Sequence, residues 1–130
     1  MNYFISTVIK GKSFDKVIES VKSELAGEGF GVPSEIDIQK TLKNKINVDF
    51  RKYRILGACN PEFAHRALQN ERNIGVLLPC SIVVQEHEQG NIEVAAVEPV
   101  SSMMAVGNDE VQKVAGEISA RLARVIKKIT

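Results

Sequence analysis

Two periodicities organise the chain. Met1-Asn2-Tyr3-Phe4-Ile5-Ser6-Thr7-Val8-Ile9 alternates in polarity and predicts a strand. Phe14, Val17, Ile18, Val21 and Leu25 then recur at three-and-four spacing, the stripe of an amphipathic helix over 13–26 with Ser13 as its N-cap and Gly27 as its stop. A second, longer stripe runs through Val111, Val114, Ala115, Ile118, Leu122, Val125, Ile126 and Ile129, a helix over 108–128 capped by Asn108. Asp109 and Glu110 suit its positive end, and Arg121, Arg124, Lys127 and Lys128 its negative end, so this basic tail reads as helix termination and solubility.

Between the helices, Val32, Ser34, Ile36 and Ile38 share one parity of an extended stretch over 30–38, and Pro33 assigns it to an edge or a bend. Asp37 can cap a short helix carrying Leu42 and Ile46 four apart. A strand follows at 53–58. Ile82-Val83-Val84 and Ile92-Glu93-Val94-Ala95-Ala96-Val97, joined by Glu88-Gln89-Gly90-Asn91, predict an antiparallel hairpin. Two long helices and five strands, some joined as hairpins, make an α+β sandwich with the helices on one face of a mainly antiparallel sheet. No repeat, low-complexity segment or linker divides residues 1–130, which are expected to form a single domain.

Composition narrows the function classes. The chain has 130 residues, 44% hydrophobic and 25% charged, and no apolar run long enough to span a bilayer, so a soluble protein without a membrane partner is expected. Without the charged start and apolar run of an export signal, the cytoplasm is the expected location, where Cys59 and Cys80 stay reduced. A net charge of +1 removes the electrostatic warrant for a nucleic-acid partner. That value conceals two blocks: Lys40, Lys43, Lys45, Arg51, Lys52 and Arg54 against Asp49 alone, and the acidic Glu86, Glu88, Glu93 and Glu98. In a dimer the two blocks could meet.

Gly27-Glu28-Gly29-Phe30-Gly31 follows a helix and opens a strand, the reverse of a phosphate-binding loop, so its glycines are read as helix termination and a bend. The stretch from Tyr53 to Leu68 carries more chemistry. Gly57 permits close backbone approach, Asn60 can cap a helix, and Pro61 suits the first helical position, where no amide proton is needed. Cys59 therefore lies just outside a helix N-terminus, whose free amides favour a thiolate. Leu78-Pro79 leads in extended form to Cys80, which is expected to be buried. Cys59, His65, Cys80 and His87 match no zinc spacing, so both histidines are read as exposed, and no metal or other cofactor is expected.

At these segments the chain resembles a family of bacterial and archaeal domains of unknown function, number three-hundred-and-two. The resemblance rests on Ile55-Leu56-Gly57-Ala58-Cys59-Asn60-Pro61 with Ala64 and Ala67-Leu68, and on Ile74-Gly75 with Leu77-Leu78-Pro79-Cys80 and Val83-Val84. It extends over essentially the whole chain and departs mildly at Ser81, where asparagine is commoner, and at Glu98, where aspartate is. It implies a curved, mainly antiparallel sheet similar to the saddle of TATA-box-binding proteins, a homodimer, and no assigned reaction. Fold alone carries no DNA-binding function. Two readings follow. In the first, the protein is a non-catalytic dimeric module that binds an unidentified small molecule in a cleft bordered by Gly57, Cys59, Asn60, Pro61, Pro79 and Cys80. In the second, it is a thiol-based sulfur carrier or redox protein with Cys59 as nucleophile and Cys80 as its partner.

Overall fold

The computed structural model describes residues 2–130; the opening Met1 of the expected N-terminal strand lies outside the described residues. Five strands, β1 (Phe4–Ile9), β2 (Gly31–Asp37), β3 (Tyr53–Cys59), β4 (Cys80–Glu86) and β5 (Ile92–Val97), form one open sheet in the order β1-β5-β4-β3-β2. Every neighbouring pair is antiparallel. The helices are α1 (Phe14–Gly27), α2 (Ile38–Ile46), α3 (Pro61–Asn70), α4 (Pro99–Ser102) and α5 (Asp109–Lys128), with short 3-10 turns at Ile74–Leu77 and Met104–Val106. The chain is thus the expected α+β protein.

Local chemistry sets the boundaries. Ser13 accepts a hydrogen bond from the Lys16 amide at the start of α1, and Asn108 accepts from the amides of Glu110 and Val111 at the start of α5. Beyond α1, Gly29 takes the left-handed backbone, φ 85°, which turns the chain into β2. Pro33 lies where the β2–β3 register shifts, between Gly31 and Ser34, and β2 is an edge strand, where the missing amide costs no ladder bond. The β4–β5 turn closes with the His87 amide donating to Asn91 O at 2.8 Å, and Gly90, φ 80°, supplies its left-handed residue.

Strand alternation sorts the side chains into two unequal faces. Leu56, Ala58, Ile82, Val84, Ile92, Val94 and Ala96 are buried beneath the helices, against Val17, Val21 and Leu25 of α1 and Val111, Val114, Ile118 and Leu122 of α5. Burying side chains of this size stabilises by about 1.5–3 kcal/mol each before entropy is charged. Helix α2 forms from its Asp37 cap, with the Lys40 amide donating to Asp37 Oδ1 at 3.0 Å, yet none of its residues is fully buried and Ile46 is exposed. It shields the edge of the sheet rather than adding to the core.

Candidate functional site

The two cysteine motifs meet at one corner. In the β3–β4 register Gly57 faces Ser81 and Ala58 faces Cys80. Asn60, itself buried, caps α3: its Oδ1 accepts from the Phe63 amide at 3.4 Å, and Pro61 takes the first helical position. Gly57 is required by packing. A Cβ there would lie 2.7 Å from Pro79 Cγ and would also collide with Ser34 Oγ of the edge strand. Pro79 follows a cis peptide bond and sits exposed over this position.

The two thiols occupy different surroundings. Cys80 is buried, and burial foremost, with the neighbouring Cys59 second, pushes its thiol up to about 11. Cys59 is half-buried at the end of β3. Alternation gives Cys59 the parity of Gly57, and Ala58 that of Cys80, yet both cysteines border one small cavity at the strand ends. This cavity, of about 10 Å³, is bordered by Cys59, Asn60, Phe63, Pro79, Cys80 and Met103. That space takes a single water and no organic ligand.

The buried Glu28 escaped the sequence reading. Its carboxylate accepts three hydrogen bonds from Arg124, at 2.9–3.1 Å, and Lys128 Nζ lies 3.7 Å away. Arg121 donates to Glu28 O at 2.8 Å and lies 5.0 Å over the Phe63 ring. The Arg124 hydrogen bonds hold the Glu28 carboxyl below its usual range, opposed by burial and reinforced by the charges of Arg124, Lys128 and Arg121. Gly29 continues this contact, since a Cβ on it would meet Asn60 Nδ2 at 3.0 Å. Two of the four basic residues at the end of α5, Arg124 and Lys128, thus grip the Glu28 carboxylate, and a third, Arg121, holds its backbone carbonyl. The available signal was Arg121, Arg124 and Lys128 at spacings of three and four, one face of α5.

The charged blocks also meet within one chain. Pairing of β3 with β4 sets Arg51 Nε 3.0 Å from Gln85 Oε1, and the Glu86 amide donates to Lys52 O at 2.9 Å. No second copy is needed to bring the blocks side by side. His65 is exposed on α3, and His87 is exposed on the β4–β5 turn with Nε2 2.8 Å from Glu93 Oε1. Among the described residues no three His, Cys, Asp or Glu side chains are grouped as metal ligands.

Opposite the helices, the sheet presents Phe4, Val8, Ala95, Val97, Val83, Tyr53, Ile55 and Ile36 by strand parity. A shallow hollow of about 380 Å³ lies there, lined by Tyr3, Phe4, Tyr53, Ser81, Val83 and Glu93 among others. Ser81 joins this hollow to the cysteine corner, being paired with Gly57 and bonded to Cys80. None of the helices among the described residues is long and apolar enough to cross a membrane.

One face of helices, one bare face of sheet and a cysteine-bearing corner between them define a one-sided α+β sandwich. The chain belongs to the family described as Domain of unknown function DUF302, whose model matches residues 5–129. It is similar to an uncharacterized conserved protein DUF302 from Bacillus stearothermophilus, known from its crystal structure, with 25% identity, full coverage of both chains and a TM-score of 0.92. No curated protein matches the chain.

Proposed function

We propose that the protein is a dimeric small-ligand-binding module whose subunits meet through the helix-free face of the sheet. The observation that carries this reading is the apolar character of that face, where Tyr53, Ile55, Val83, Ala95 and Val97 lie side by side across three central strands with no helix over them. Contiguous apolar surface of this kind marks association sites in water-soluble proteins. The hollow at Tyr3, Tyr53, Ser81 and Glu93 supplies the ligand seat, since it combines apolar walls with hydroxyl and carboxylate groups and reaches the cysteine corner through Ser81. On this reading Gly57, Asn60, Pro61 and Pro79 hold the corner rigid and Cys59 borders it, without a catalytic step.

Native mass spectrometry and light scattering of the untagged protein test this directly. The expected result is twice 14.3 kDa, with additional mass from a retained molecule, and a monomer for Val83→Glu. A monomeric parent protein, or a Val83→Glu variant that remains dimeric, overturns the reading.

The half-buried position of Cys59 beside the capped start of α3 favours a second, thiol-based reading. A Cys59 thiolate would attack a low-molecular-weight disulfide and release one thiol, and Cys80 would then displace the second as both protein sulfurs become oxidised. The upward shift of Cys80 to about 11 slows that resolving step at neutral pH, which places this reading second.

A further inference from the structure

The strongest unassigned feature is a groove of about 790 Å³ between the approach to β3 and the β4–β5 turn. Arg51 and Lys52 line one side and Glu86 and Glu88 the other, with Gln39 and Asn91 among the neutral groups. Among the described residues none of these four forms an ion pair. Arg51 is held in place by other means: it donates to Gln85 and lies 4.5 Å over the Phe50 ring and 5.4 Å over that of Tyr53. Gln39 is fixed as well, its Nε2 donating to Phe50 O at 3.0 Å.

A second observation lies at the inner end. Gln39 and Lys52 also line a recess of about 60 Å³ with Phe14, Asp15, Asp37 and Arg54. Arg54 gives Nη1 to Glu35 at 3.0 Å and Nη2 to Asp37 at 3.5 Å, but its buried Nε has no acceptor. A buried donor left without a partner is costly, and the recess has room for one carboxylate group or about two waters. Asp37 is already committed to the Lys40 amide and Arg54.

From this arrangement we propose that the groove binds a small zwitterion, a free amino acid or short peptide. Its carboxylate takes the Lys52 and Arg54 end, where both side chains lie over Phe14, and its ammonium takes Glu86 and Glu88. The two walls supply the two charges such a molecule carries. The groove lies apart from the cysteines and adjoins the helix-free face at Tyr53 and Gln85, while Lys52, Glu86 and Glu88 line the groove and not the hollow on that face.

Titration of the ¹⁵N-labelled protein with alanyl-alanine, followed by amide chemical shifts, tests it. Saturable shifts are expected at Gln39, Lys52 and residues 86–91, with affinity falling about tenfold when the dipeptide is N-acetylated or C-amidated. Lys52→Gln should remove the response to amidation, and Glu86→Gln with Glu88→Gln the response to acetylation, while the rest of each spectrum reports an intact fold. Absence of saturable shifts, equal affinity for the blocked dipeptides, or shifts confined to the helix-free face overturns the proposal.

Discussion

Arg124 closes on Glu28 across 96 residues of chain through three charge-assisted hydrogen bonds, two from Nε and one from Nη2. The contact ties the last residue before the Gly29 turn to the final turns of α5, and the Arg121 bond to Glu28 O fixes the backbone there as well. The end of α1, the cap of α3 and the basic face of α5 consequently form one unit around Asn60 and Phe63.

Acid should release this unit. The Glu28 carboxyl is held below its ordinary value of 4.5, so the folded chain binds this proton less readily than the unfolded chain. Its contribution is therefore full above pH 4.5 and is lost as the pH falls through the lower, folded-state value. Glu35 acts in the same direction through Lys22 and Arg54. Thermal melts are expected to show Glu28→Gln with a lower Tm than the parent at pH 7 and a shallower decline below pH 4.5. Parallel curves for the two proteins would show that the clamp contributes nothing.

Replacing Gly57 by alanine places a methyl group against Ser34 Oγ and the Pro79 ring. Overpacking of this kind costs about 1–3 kcal/mol. A matching drop in urea midpoint is expected for Gly57→Ala, with partial recovery when Ser34→Gly is added. A Gly57→Ala protein as stable as the parent would mean that the corner yields without cost.

The thiols should separate in alkylation by iodoacetamide. With Cys80 at about 11, on the order of one molecule in a thousand carries its thiolate at pH 8. Peptide mapping is expected to find Cys59 labelled first, with Cys80 labelled only above about pH 10 or after unfolding. Rapid labelling of Cys80 in the native protein at pH 8 would contradict its burial.

Asn60→Ala removes the acceptor for the Phe63 amide and should cost about 1 kcal/mol, whereas Asn60→Asp keeps an oxygen there and should cost less. Urea unfolding with an unchanged slope distinguishes the two. Equal losses in both variants would assign the role of Asn60 to its contact with Gly29 instead.

Much of the fold was legible because its elements carry local signals. The stripe Phe14, Val17, Ile18, Val21, Leu25 is the buried face of α1, residue for residue, and Ser13, Asp37, Asn60 and Asn108 all cap the helices they precede. Pro33 announced an edge strand, and Gly57 a close approach. What escaped the sequence depends on pairing across long separations. Ile36 has the alternation of a half-buried strand but faces the bare side and is exposed, because parity distinguishes two faces without saying which one the helices cover. Arg121, Arg124 and Lys128 looked like an ordinary helix end, since Glu28 is brought to them only by the tertiary fold. The two cysteine motifs stand out in the sequence and meet at one corner, but the volume between them is a property of packing that no motif encodes.

The strand order β1-β5-β4-β3-β2 has a consequence for how the protein is made. Phe4 pairs with Val97 and Ile9 with Ile92, so among the described residues β1 finds its sheet neighbour only after β2, β3 and β4 have been made. During that interval β4 has β3 on one side and nothing on the other, and α1 has no α5 beside it. Until β5 and α5 arrive, the nascent chain carries an unfilled edge at β4 and an uncovered apolar stripe on α1, a window in which a holding chaperone has more surface to grasp than the finished protein offers.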